Sequence, residues 1–200
     1  MATKQEQGEQ SRRALIDAAA AEFRVTGYAG AGVDAIAKRA GLTSGAFYRH
    51  FASKSALFTV VVAEGLDQIT RSLTLAQDES QGLWEHAFID FYFGRPYRES
   101  VETGCVLPSL AAEIARADAN ARAAFAAGLE TAARAFAHQF TALPEDVAQD
   151  RALAILAVMT GGVTLARAVG PGATADAIAA SSAQTVLHLL TDPSHVPAGD

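Results

Sequence analysis

Cysteine is almost missing from this chain. Cys105 is the only one in 200 residues, which excludes an internal disulfide and any zinc site built on paired cysteines. Five histidines, at 50, 86, 138, 188 and 195, show no metal-ligand spacing, so neither a metal nor another cofactor is expected. The opening residues MATKQEQGEQSRR lack the apolar core of a signal peptide. The longest apolar stretch, 152–169, is interrupted by Thr160, Gly161, Gly162, Thr164 and Arg167 and reads as a buried or interface helix, not a membrane span. A cytoplasmic protein with no membrane partner is the expectation. No segment alternates as a strand does and no repeat is visible, so the fold class is all-α. Positive charge is also scarce, with a formal net charge of −6. It is unevenly spread: residues 1–54 hold eight Lys/Arg against five Asp/Glu, and the remainder holds eight against seventeen. A mildly basic head on an acidic body suits a small nucleic-acid-reading domain joined to one that does not touch nucleic acid.

What is present centres on GYAGAGVDAIAKRAGLTSGAFYRHFASK, residues 27–54. Val33, Ile36, Ala37 and Ala40 share one helical face. Gly41 can take the left-handed conformation that closes a helix. Thr43 can then cap the next one, in which Phe47 and Phe51 point inward together. Helix, glycine-bearing turn and second short helix make a helix-turn-helix pattern over about 32–51. On the outward side, Gly45 and Ala46 keep the start of the second helix slim enough for a major groove about 12 Å wide. Tyr48, Arg49, His50 and Lys54 offer donors for phosphate oxygens. The same spacing also describes an ordinary helical hairpin with solvated polar residues.

The words GLTSGAFYRHFASKSALF and AEFRVTGYAGAGVDAIAKRAG closely resemble the DNA-recognition segment of the TetR family of bacterial transcriptional regulators, over roughly residues 10–65. The resemblance implies that Tyr48, His50 and Lys54 hold phosphates, with Thr43, Ser44, Gly45, Ala46 and Arg49 near bases or backbone. Two departures stand out. Ala31 and Gly32 replace the usual hydroxyl residues before the first motif helix, and Ser44 stands where Lys is frequent.

Along the rest of the chain, residues 1–9 are expected to be disordered and a first helix to run from about 10 to 26, closed by Gly27. Arg12 and Arg13 near its start could reach a phosphate, although two solvated arginines are the plainer reading. Ser53 caps a long helix from Lys54 to about Ala76, and QDESQG (77–82) reads as a turn. Further helices are expected over 83–93, about 96–101, from Cys105 onward with Pro108 in the first turn, 119–140, from Pro144 at its first position to about Val169, and 176–190. DPSHVPAGD reads as a frayed tail. The expected domains are a three-helix helix-turn-helix head over 9–69 and a ligand-binding and dimerisation body over 70–200, joined by the long helix.

Two sites in the body follow mainly from the resemblance. Trp84, Phe88, Phe91, Tyr92, Cys105, Leu110 and Phe125 are the candidate walls of an effector pocket, favouring a small hydrophobic or aromatic ligand. A core stripe is the bland reading of the same residues. No Lys, Arg or His neighbours Cys105 in sequence, so a buried inert thiol is preferred to a redox sensor. Thr160, Gly161, Gly162, Ala166, Ala179 and Ser182 are small enough for close helix approach and mark a homodimer seam, or else intramolecular packing. The expected function is a ligand-responsive regulator, a repressor that binds a palindromic double-stranded operator as a homodimer and is released by an effector. The alternative is an α-helical ligand-binding protein or enzyme with a vestigial DNA head, although no nucleophile or acid–base pair supports an enzyme.

Overall fold

The computed structural model describes residues 3–79 and 84–191, and among these it contains helices and connecting turns with no strand. In order the helices are α1 (Lys4–Gly30), α2 (Val33–Arg39), α3 (Ser44–His50), α4 (Lys54–Glu79), α5 (Trp84–Phe93), α6 (Arg95–Glu99), α7 (Val106–Ile114), α8 (Ala119–Ala137), α9 (Glu145–Ala168) and α10 (Ala173–Thr191). They form two compact units, Met1–Gly65 with Val101–Ala126, and Leu66–Ser100 with Ala127–Asp200. The division falls inside α4, after Gly65 where the expected boundary is 69, and the first unit includes α7 and the start of α8.

In the first unit α1 begins at Lys4, earlier than the polar sequence suggests. The cause is a capping box: Glu6 N–H donates to Thr3 Oγ1 at 3.2 Å and Thr3 N–H to Glu6 Oε2 at 2.6 Å. Two orphan donors are thereby satisfied, and residues 4–9, part of the stretch expected to be disordered, are helical. Leu15, Ile16, Ala19 and Phe23 are buried along the inner face of α1. Gly27 interrupts the helix with φ +75°, a conformation costly for any residue with a Cβ. The Glu113 carboxylate of α7 accepts from the Tyr28 N–H freed at that break. The Tyr28 ring lies 4.7 Å from Phe58, which meets Phe23 edge-on at 5.1 Å. Ser53 caps α4 as expected, accepting from Ala56 N–H at 3.0 Å.

Several boundaries in the second unit move from those expected. Residues 77–79 continue α4 instead of turning, and residues 80–83, Leu83 among them, lie outside the described residues, as does the tail 192–200. Helix α8 ends at Ala137 rather than at residue 140, a turn follows over 138–139, and Phe140 is 7% exposed. Pro144 is the N-cap of α9 rather than its first helical residue, and α10 starts at Ala173, three residues earlier than expected. By length and composition α9 could cross a membrane, but 44% of its most apolar window is buried inside the protein.

A charged cluster joins α6, α9 and α10. The Arg98 side chain is 3% exposed, pairs with Asp176 and donates to Ala175 O at 3.3 Å. Arg95 also pairs with Asp176, and Arg167 Nε donates to Arg98 O at 2.5 Å. The Arg95 and Arg98 hydrogen bonds hold the Asp176 carboxyl down at about 2. A carboxyl lowered on folding contributes stability above its unfolded value, and that contribution is lost as pH falls through the folded value. Asp176→Asn is therefore expected to lower the melting temperature at neutral pH and to flatten the loss of stability between about pH 4 and pH 2. Identical acid melts for variant and wild type would show the cluster to be energetically silent.

Candidate nucleic-acid interface

The turn between α2 and α3 is built as the sequence suggests. Gly41 has φ +70°, its N–H donates to Lys38 O at 3.0 Å, and Leu42 N–H donates to Ala37 O at 2.8 Å. These two bonds satisfy the last carbonyls of α2 and stop it sharply. Thr43 then caps α3, its hydroxyl accepting from Ala46 N–H at 3.2 Å. Phe47 is fully buried, with its ring 5.9 Å from that of Phe51. Pinned from within, α3 presents Gly45, Tyr48 and Arg49 outward, with Tyr48 59% exposed. A Cβ at Gly45 would meet only Thr43 Oγ1, at 3.8 Å, so the start of the helix is narrow.

Three of the residues expected at the interface are engaged within the protein. Ala46 is 4% exposed and belongs with Phe47 to the buried side of α3. Ser44 is half-buried and its hydroxyl donates to the Asp34 carboxylate, linking the starts of α2 and α3. The Lys54 ammonium donates to Tyr28 O at 2.7 Å and Ala31 O at 3.0 Å and sits 4.4 Å from the Tyr28 ring centroid. Two of its three donors are thus spent holding the end of α1. No sequence pattern signals this tie, because the carbonyls it satisfies, at the end of α1, are 23 and 26 positions away in the chain. His50 is half-buried at the C-terminal end of α3, next to exposed Arg49.

Residues 15–61 match the family model described as bacterial regulatory proteins, tetR family. Residues 86–181 match the C-terminal domain of LmrA/YxaF-like transcriptional regulators. The chain belongs to the TetR family of bacterial transcriptional regulators. A stretch of 71 residues, 34% of the chain, is 41% identical to the uncharacterized HTH-type transcriptional regulator YdgC of Bacillus subtilis strain 168. Another of 115 residues, 53% of the chain, is 33% identical to the HTH-type transcriptional activator FasR of Mycolicibacterium smegmatis. These matches span 36% and 52% of the two relatives' own lengths. Among solved structures, regulatory protein TetR from Rhodobacter sphaeroides superposes with a TM-score of 0.74 over 90% of this chain and 98% of that one, at 22% identity. That likeness extends the TetR-type fold across the chain.

The seven residues expected to wall an effector pocket are divided between the units of this TetR-family chain. Trp84, Phe88, Phe91 and Tyr92 lie in the second, and Cys105, Leu110 and Phe125 in the first. Phe88 is 3% exposed, with its ring 5.7 Å from Phe136 and 6.2 Å from Tyr92. Phe91 is 54% exposed and lies against Tyr97 at 4.5 Å. The inward row of α5 is therefore Phe88 and Tyr92, four residues apart, and Phe91 faces outward. Cys105 is buried at the N-cap of α7. Two clefts are described, of about 370 Å³ in the first unit beside Tyr28 and Ser55, and about 140 Å³ in the second beside Phe140 and Arg151. Neither includes any of the seven.

The expected dimer seam separates into two faces. A Cβ at Gly162 would stand 2.4 Å from Ser182 Oγ and 3.1 Å from Phe93 Cε1, so Gly162 and Ser182 meet within one chain. Ala166 and Ala179 are each 4% exposed, also on the inner side. Their smallness serves the α9–α10 contact. Gly161, by contrast, has nothing within 4 Å of its Cβ position. It falls on an outward row with Leu153, Ala157, Leu165 and Val169, spaced every four residues, of which Leu165 is 57% and Val169 53% exposed. The small-residue pattern did not reveal this row, although its four-residue spacing is legible once the inner face is known.

Proposed function

We propose that this TetR-family chain is a cytoplasmic, ligand-responsive repressor that binds a palindromic duplex operator as a homodimer. The carrying observation is α3: capped by Thr43, anchored by Phe47, and offering Gly45, Tyr48 and Arg49 to the outside. A short helix held this way can lie in a major groove, with Arg49 facing bases or backbone and Tyr48 and His50 facing phosphates. The outward row on α9 supplies an apolar surface for a second copy, since contiguous exposed apolar faces mark association sites. A small hydrophobic or aromatic effector is the proposed releasing ligand, acting through α4, whose residues are shared between the two units.

Selection of random-sequence duplexes by the purified protein tests this reading directly. An enriched palindrome is expected, bound with a steep dependence on salt. Arg49→Ala should weaken the selected site by about 1–3 kcal/mol if Arg49 reads a base, and relax preference at that position. No enrichment, with binding insensitive to salt, would leave the head vestigial. Emission from Trp84, the single tryptophan of the chain, gives the effector screen its signal. A true effector shifts binding of operator by the same factor as operator shifts binding of effector.

A further inference from the structure

The cations of the first unit are not equivalent, and their partners sort them. Arg13 Nη1 lies 2.6 Å from Glu64 Oε2 and its Nε 2.9 Å from Asp17 Oδ1, so its charge is already answered within the protein. Arg39 pairs with Glu102 and, at 3.6 Å, with Glu22. Lys54 is tied to two carbonyls. Arg12, one residue before Arg13 on α1, has no carboxylate within ion-pair distance among the described residues. Its Cζ instead lies 5.3 Å from the ring centroid of Phe51.

Phe51 is the C-cap of α3, its N–H bonded to Phe47 O at 3.0 Å, and is 5% exposed. It directly follows Arg49 and His50. Arg12 is exposed, so its guanidinium rests on a fixed aromatic platform with its N–H edge in solvent. Stacking of this kind orients the planar fork before any ligand arrives, and less freedom is then lost when it bonds. Phe51 immediately follows Arg49 and His50 in the chain, so the stacked Arg12 guanidinium stands at the residue that ends α3.

We infer that Arg12 is a phosphate anchor of the DNA interface, gripping the duplex backbone beside the C-terminal end of α3. The inference rests on the DNA-binding reading above. A guanidinium fork matches two phosphate oxygens at once, which a lysine ammonium does not. The contact carries no base information and acts on all sequences alike.

The test uses the full-length protein and random-sequence duplex DNA, with the selected operator as a second probe. Arg12→Gln should weaken binding to both probes by a similar factor, and lower the slope of log affinity against log salt by about 0.9. Arg12→Lys should keep the slope and recover part of the affinity, which also controls for any loss of folding in the glutamine variant. Arg13→Gln should leave the slope unchanged, since its charge is already paired. A wild-type slope in Arg12→Gln, or an equal drop in Arg13→Gln, overturns the inference while leaving the DNA-binding reading intact. Salt-insensitive binding by the wild type overturns both, so the two failures are distinguishable.

Discussion

Gly162→Leu is expected to melt well below the wild type, because the α9–α10 contact has no room for a side chain. A Cβ alone would lie 2.4 Å from Ser182 Oγ and 2.6 Å from Ser182 Cβ, with Phe93 Cε1 at 3.1 Å behind them. Leucine adds three further carbons, and overpacking a filled site typically costs about 1–3 kcal/mol. The neighbouring position provides the control. At Gly161 nothing lies within 4 Å, and Gly161→Ala should raise monomer stability by up to about 1 kcal/mol through helix propensity. Leu165→Glu, on the same outward row, should leave the monomer folded and abolish the proposed dimer, with operator affinity falling in step. Thermal melts with sedimentation separate these outcomes. A Gly162→Leu protein as stable as wild type would mean that the helices are not packed as described.

Lys54→Ala carries the second large effect. The residue types alone suggest a phosphate contact whose loss would leave folding almost untouched. The structure instead gives its ammonium to Tyr28 O and Ala31 O, under cover of the Tyr28 ring. Removing it strands two partly buried carbonyls at the end of α1, and each unsatisfied buried polar group costs about 1–3 kcal/mol. The expected result is a lower melting temperature and faster amide exchange around residues 28–31. DNA affinity should fall because the head is less well formed, with the salt slope nearly preserved. The opposite pattern, wild-type melting with a slope reduced by about one, would restore Lys54 as a phosphate anchor.

Much of the head was legible in the sequence because its determinants are local. A glycine closing α2, a threonine capping α3 and phenylalanines four residues apart each act within one or two helical turns, so spacing alone reveals them. The start of α1 was local too, yet its Thr3–Glu6 capping box was read as part of a polar, disordered lead. The start of α10 moved for a local reason as well: Asp176 N–H already bonds Gly172 O at 3.0 Å, which closes the first helical turn before residue 176.

The sequence by itself determined the all-α class, the helix-turn-helix and which residues around α3 are inward or outward, Ala46 and the end residues excepted. All of these rest on periodicity and on hydrogen bonds between residues a few positions apart. Only the tertiary structure decided which cations are committed, which glycine of the Gly161–Gly162 pair is packed, and which face of α9 is left open. Arg12 and Arg13 are adjacent and chemically identical, but Phe51, which carries Arg12, stands 39 positions away, and Glu64, which Arg13 meets in addition to its helical neighbour Asp17, stands 51 away. The availability of a charge or a small side chain is a property of those distant partners, and side-chain type carries no record of them.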